Sequence, residues 1–310
     1  MIVTLYIVLG IIFLYICLIL LFFNALFDRH AVLRFPPFGR HTPAKQIIES
    51  GKTWMNSHPH QILNVVNDEG LRLVAHYFTC ENADRILLMV HGWRGSWDYE
   101  FAPFAKWFFE HNCNLLIVEQ RGQGSSGGNH LYMGLKEAND VVTWVNAVRP
   151  LNERCLPLYL FGMSMGCTSV LRALPMLSSK HITGIIADCG YTNPYRVIRR
   201  FAWERFHIPE HPVLDSVRHM GIRRLGIDLK DTPTDIVIAN CTTPILFIHG
   251  ENDRFAPYED TVRMHLKYSG PKAFLSVPNA GHCMSYIVDP EVYTNTVYRF
   301  FMSTENNDSL

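Results

Sequence analysis

The stretch Leu158-Tyr159-Leu160-Phe161-Gly162-Met163-Ser164-Met165-Gly166-Cys167-Thr168-Ser169-Val170 decides how this chain folds. An apolar run over 158–161 has the composition of a buried strand, and helix-compatible residues follow Gly166 as far as Leu174. Between them lies Gly-x-Ser-x-Gly, with a strand before it and a helix after it. The spacing has a physical reason. A serine hydroxyl is presented to a ligand only if its residue occupies a tight, strained turn, and side chains two residues to either side would collide there. Gly162 and Gly166 have none. The helix that starts at the turn also leaves the N–H of Met165 without an intrahelical acceptor, beside the place where negative charge would form. Five residues with two glycines recur by chance, so the flanking chain has to decide.

Working outward, short apolar runs predict strands over 62–66 and 71–78, joined by a hairpin at Asn67-Asp68-Glu69-Gly70, then over 85–90, 115–118, 182–187, 244–248 and 272–277. Helices are expected over 101–111, 257–268 and 290–302. A further helix is expected over 134–148, where Leu135, Ala138, Val142, Val145 and Val148 recur every three or four residues. With the elbow strand this makes eight strands. From residue 85 on they alternate with helices, which predicts an α/β fold with a mostly parallel sheet covered on both faces. Ligands bind such sheets at the carboxyl ends of the strands. His91-Gly92, Arg121-Gly122, Ser164, Asp253 and His282 all fall there.

A serine hydroxyl is a weak nucleophile until a base takes its proton, and the base needs an acid to orient it. Asp253 follows the strand over 244–248 and His282 follows the strand over 272–277. Alone, Asp253 reads as a turn or helix-cap residue and His282 as a loop histidine. Together with Ser164 they stand in the chain order Ser-Asp-His, each after its own strand. At His91-Gly92, Arg121-Gly122-Gln123-Gly124-Ser125, the elbow, His249-Gly250 with Asp253 and Pro257, and Gly281-His282, the chain resembles the α/β-hydrolase superfamily. It is similar in particular to bacterial membrane-anchored members of the esterase/lipase or serine aminopeptidase-like kind, over roughly residues 60 to 302. The resemblance implies an α/β-hydrolase fold. In it Ser164 is the nucleophile, Asp253 the orienting acid and His282 the base, and the backbone N–H groups of Trp93 and Met165 form the oxyanion hole. His91 then supports the oxyanion loop. One loop departs from the family pattern: Glu119 and Gln123 stand where an Asp and a second His are usual. The expected activity is cleavage of small carboxylic esters without metal or organic cofactor. A peptidase or amidase on the same residues is the alternative, and a catalytically silent scaffold the alternative from another class. The insert over 192–240, which mixes aromatic and arginine residues, is read equally as packing helices and as a substrate cap, and it could also touch a membrane surface.

The 310 residues are 48% hydrophobic and 18% charged, with formal net charge zero. There is no basic excess to suggest a nucleic-acid partner. Residues 1–27 carry no charged side chain and predict a transmembrane anchor. A cleaved signal peptide would want a basic start and a small-residue cleavage site. Arg29, Arg34 and Arg40 follow the span, so the positive-inside rule directs the catalytic domain to the cytoplasm. The expected division is an anchor over 1–27, a connector over 28–60 broken by Pro36, Pro37, Gly39 and Pro43, a catalytic domain over 61–303, and a flexible tail over 304–310. The sheet is expected not to need the anchor. His58 and His60 read as loop residues rather than metal ligands. The eight cysteines lack metal-binding spacing and read as buried free thiols.

Overall fold

The computed structural model describes residues 1–31, 42–178 and 181–306. Arg34, Pro36, Pro37, Gly39, Arg40 and the end of the expected tail lie outside them. Eight strands, β1 (Gln61–Val66), β2 (Arg72–Phe78), β3 (Arg85–Val90), β4 (Cys113–Glu119), β5 (Leu158–Met163), β6 (Gly184–Asp188), β7 (Ile245–Gly250) and β8 (Lys272–Val277), form one sheet in the order β1-β2-β4-β3-β5-β6-β7-β8. β2 runs antiparallel to both its neighbours, and every other pair from β4 to β8 is parallel. The fold is the α/β-hydrolase fold. β3 to β7 are buried along their whole length, as continuous apolar strands of a parallel sheet must be. Val90 pairs with both Val118 and Gly162, and Met163 with Asp188, so the carboxyl ends of the central strands finish level.

Helices cover both faces. On one side α2 (Thr42–Ser57), α3 (Ala105–Glu110) with its cap Phe104, α10 (Ser285–Val288) and α11 (Pro290–Asn306) pack Met55, Phe104, Phe108, Tyr286, Tyr293 and Phe301 around Phe161 of β5. On the other, α4 (Glu137–Val148), α5 (Met165–Ala173) and α9 (Tyr258–Lys267) supply Trp144, Val145, Val170, Leu171 and Met264. The insert carries α6 (Pro194–Phe206), α7 (Asp215–Met220) and α8 (Thr234–Val237), with wider turns flanking α7. It packs Tyr195, Phe201, Val213 and Leu225 against Met165 and Phe255, which follow β5 and β7.

Three expectations need correction. Part of the expected connector is helical: α2 occupies Thr42–Ser57. Pro43 is tolerated there because the first turn of a helix needs no N–H donor. Gly51 is where α2 meets the backbone of Ala102 so closely that a Cβ would overlap its carbonyl. The helix expected over 134–148 begins only at Glu137. Gly134 is left-handed (φ +86°), and the Glu137 carboxylate accepts from the N–H groups of Tyr132 (2.6 Å) and Gly134 (2.9 Å). The apolar N-terminal helix α1 (Ile2–Phe27) is exposed over its first part but buries Ile19, Phe22, Phe23, Ala25, Leu26 and Phe27. All but Ala25 join the insert's hydrophobic cluster, so the last third of α1 is part of the folded domain.

Candidate active site

Ser164 sits between β5 and α5 with φ +56° and ψ −118°, a conformation that a non-glycine residue holds only when its surroundings impose it. Its N–H donates to the Asp188 carbonyl at 2.9 Å, which ties the turn to the end of β6. A Cβ on Gly162 would lie 2.5 Å from the Cα of Cys167, and one on Gly166 would overlap the Val90 carbonyl. The two glycines therefore let α5 fold back against the ends of β5 and β3.

The loops after β7 and β8 meet at this turn. Ser164 Oγ is 2.7 Å from His282 Nε2, and His282 Nδ1 donates to Asp253 Oδ2 at 2.6 Å. Because an ionised carboxylate can only accept, Nδ1 carries the proton and Nε2 faces the hydroxyl as an acceptor. All three side chains are buried, Ser164 at 3% and Asp253 at 2% exposure. Asp253 Oδ1 accepts the N–H groups of Phe255 (2.8 Å) and Ala256 (2.9 Å), and His249 Nε2 donates to Oδ2 at 3.1 Å. Burial works against the carboxylate. The neighbouring charge of His282 and the bond from His249 outweigh it and hold the Asp253 carboxyl well below its ordinary range. Burial likewise works against a charged His282, but the Asp253 carboxylate beside it raises the imidazole well above the ordinary histidine value. His249, fully buried and fixed from its other side by Thr261 Oγ1 at 2.7 Å, was not marked by sequence reasoning as an Asp253 partner. Its place at the end of β7 was the available signal.

The loop after β3 closes the site from above. Gly92 lies against the elbow: a Cβ on it would be 3.1 Å from Ser164 Cβ and 3.0 Å from a Glu100 carboxylate oxygen. The Glu100 carboxylate accepts the Gly92 N–H in a short bond, and burial pushes its carboxyl up to about 7 against that bond. Only tertiary packing brings Glu100 here, and no sequence signal marks it. Both ring nitrogens of His91 are engaged by the main chain. Its Nδ1 bonds the Gly92 carbonyl at 2.9 Å, its Nε2 accepts the Gln120 N–H at 3.3 Å, and burial lowers it to about 4, so it is neutral. Trp93 follows Gly92 on this loop, and Met165 is the first residue of α5.

The variant loop after β4 is structural. Glu119 bonds His76 at 2.7 Å and the Ser125 N–H. Arg121, 1% exposed, makes a bidentate pair with Asp140 (2.6 and 2.7 Å) and reaches Glu69 at 2.8 Å. A cavity of about 700 Å³ opens beside His282, walled by Phe201, Arg205, Arg254, Phe255 and Ile287. Glu204 of the insert also lines it, and the insert's carboxylates are already engaged. Glu204 pairs with Arg200 (3.1 Å), Glu210 takes Tyr195 OH (3.1 Å) and Arg199 (3.3 Å), and Asp215 takes His211 (2.5 Å). His60 contacts His76 (3.1 Å) and His58 stacks on Trp54. All eight cysteines are free thiols, and Cys155 is exposed rather than buried.

Residues 81–202 match the family described as serine aminopeptidase, S33. The uncharacterized protein YqkD of Bacillus subtilis is 29% identical over 194 residues, 62% of this chain; the chain spans 63% of that relative's length. The uncharacterized protein YfhR of Salmonella typhimurium is 30% identical over 210 residues, 65% of each chain. Among solved structures, the esterase Pf2001 of Pyrococcus furiosus superposes with a TM-score of 0.65 at 19% identity, covering 87% of this chain and 98% of its own. At that identity the likeness carries the fold alone, and it is the fold built above. The matched family model lies across the elbow, and the fold shared with these structures is the α/β-hydrolase fold.

Proposed function

We propose that this chain is a membrane-anchored serine hydrolase that cleaves carboxylic esters through an acyl-enzyme intermediate. The observation that carries the reading is the continuous hydrogen-bonded chain from Ser164 Oγ through the His282 ring to Asp253 Oδ2. Ser164 attacks the ester carbonyl while His282 Nε2 takes its proton. Asp253 holds the Nδ1–H tautomer and stabilises the imidazolium that forms. The N–H groups of Trp93 and Met165 receive the oxyanion. His282 then passes the proton to the leaving alcohol, and water repeats the sequence on the acyl-enzyme. No step calls for a metal or organic cofactor.

Ester cleavage is favoured over the aminopeptidase activity that the matched family's description suggests. An exopeptidase must hold a protonated amine, and a desolvated ammonium needs a carboxylate partner. Glu204 lines the cavity but pairs with Arg200, and Arg205 and Arg254 line it too, so the one carboxylate from the insert in the lining already has a cationic partner; Glu210 and Asp215 lie outside the lining and are bonded to tyrosine, arginine and histidine. One fold neighbour, Pf2001, is an esterase by name, which agrees with this choice. Membrane anchoring rests on α1, a 26-residue helix without a charged side chain, about 39 Å long at 1.5 Å per residue. Arg29 just after the helix favours a domain on the cytoplasmic side.

The test is labelling of the full chain, in detergent, by a fluorophosphonate probe and hydrolysis of p-nitrophenyl butyrate, with Ser164→Ala alongside. Both signals should vanish in the variant, apart from a residual rate about 10³- to 10⁴-fold over water. Near wild-type turnover by Ser164→Ala would overturn the assignment.

A further inference from the structure

The last four carbonyls of a helix have no partner within it. In α1 all four are satisfied, and mostly from outside. Asn24 O accepts the Asp28 N–H at 2.9 Å, and Phe27 O accepts the Leu131 N–H at 2.8 Å. The other two go to the loop that follows β3. Leu26 O accepts from the indole Nε1 of Trp93 at 2.9 Å, and Ala25 O accepts from the Arg94 guanidinium at 2.9 Å. The same Arg94 nitrogen reaches the Asp28 carbonyl at 2.8 Å, which places a positive charge where the helix dipole favours one. Leu26 also converges with Trp93, Phe201 and Phe255 on an apolar crevice too narrow for water.

The loop held in this way is the one whose Trp93 N–H is assigned to the oxyanion. Gly92 and Gly95 flank it and Arg94 is left-handed (φ +55°), so its conformation comes from its attachments. Glu100 holds it from beneath at the Gly92 N–H, and α1 holds it from above through two side chains. Trp93 is set further by stacking on Phe255 (ring centroids 6.4 Å, 16°) and meeting Phe201 edge-on (6.2 Å, 70°).

We propose that the carboxyl end of α1 is a positioning element of the active site: by accepting from the Trp93 and Arg94 side chains it fixes the loop that carries the oxyanion donor. The inference rests on the serine-hydrolase reading and deepens it. The apolar helix then does more than locate the domain. Oxyanion donors must lie about 2.7–3.1 Å from the developing charge, and losing one costs roughly 10²- to 10³-fold in kcat. A displacement of about 1 Å costs on the order of 10²-fold. Trp93 and Arg94 act through the main chain of their loop, so they are positioning residues.

The experiment uses the full chain in detergent. Trp93→Phe keeps the ring and the backbone N–H and removes the indole donor. Arg94→Gln removes the charge, and Arg94→Lys partly restores it. A deletion of residues 2–14 removes only exposed turns of α1 and leaves its docked third. The expected result for p-nitrophenyl butyrate is a kcat lowered about 10- to 100-fold in Trp93→Phe and Arg94→Gln, with KM within about twofold. Arg94→Lys should recover part of the loss, and the deletion should match wild type. Unchanged kcat in both Trp93→Phe and Arg94→Gln, or a loss confined to KM, overturns the proposal. If wild type takes no fluorophosphonate label, the serine-hydrolase reading falls instead. Docking is then decided by hydrogen exchange: the amides of 92–95 should lose at least about tenfold protection in Trp93→Phe, and unchanged protection overturns it.

Discussion

Replacing Asp253 by Asn changes no volume and inverts one set of hydrogen bonds. The wild-type carboxylate accepts four: the Phe255 and Ala256 N–H groups at Oδ1, and His282 Nδ1 and His249 Nε2 at Oδ2. The two main-chain donors demand an acceptor, so the amide oxygen takes the Oδ1 place and the NH2 group falls where Oδ2 was. It then points donors at two imidazole nitrogens that were themselves donors. His282 can accept from it only as the other tautomer, with its proton on Nε2, and that nitrogen can no longer take a proton from Ser164. The same exchange in a well-studied triad costs about 10⁴-fold, or about 5.4 kcal/mol of transition-state stabilisation. A second readout comes from charge. His282 must be neutral to act as a base, and Asp253 raises its pKa, so wild-type kcat/KM should climb with pH through a midpoint above the ordinary histidine value of about 6.5. That lies above the midpoint of about 6 to 7 expected of an unperturbed histidine. In Asp253→Asn the raising charge is gone and burial remains, so the midpoint of the residual activity should fall. Initial rates with p-nitrophenyl butyrate between about pH 5 and pH 9 measure both quantities. A loss below about tenfold, or a midpoint that stays where it was, would refute the assigned roles.

Arg121 is buried on a bidentate bond to Asp140, so Asp140→Ala should leave an uncompensated charge and cost about 3–5 kcal/mol in chemical denaturation. A cost below about 1 kcal/mol would mean that Glu69 alone suffices. Glu204→Gln and Glu210→Gln should leave ester turnover within about threefold of wild type, since both carboxylates serve arginine partners. Should either prove essential for aminoacyl anilides alone, with free-amine anilides outpacing their acetylated forms, the peptidase reading replaces the ester one.

What the sequence disclosed follows from which contacts are local. The elbow is a strand, a turn and a helix contiguous in the chain, so two glycines and a serine declare it. Asp253 and His282 stand three and five residues past strand ends, and the parallel sheet brings those ends to one edge whatever the helices do. Chain order alone therefore placed the three residues together, and the structure holds them within hydrogen-bond distance. Glu100 and the α1 carbonyls carry no such mark. Glu100 reaches Gly92 across a loop, and Trp93 meets Leu26 across 67 positions, through contacts that no periodicity encodes. α2 was hidden for a different reason. Pro43 and Gly51 are helix breakers by propensity, and here the first sits in a first turn while the second admits a neighbouring backbone.

The division of α1 into an exposed part and a docked part has a consequence for the bilayer. Roughly 17 residues, Ile2 to Leu18, precede the first buried position, and they span about 25 Å. A typical hydrocarbon core is about 30 Å thick. No loop intervenes between span and domain, so the helix cannot take up the difference by paying out slack or by swinging on a hinge. If α1 spans a bilayer as proposed, either the membrane thins around it or the seam between α1 and the insert is drawn toward the headgroups, and the strain of that mismatch would bear on the turn that holds Trp93. Catalytic rate in vesicles should therefore fall as acyl chains lengthen, which makes membrane thickness itself a variable of the enzyme.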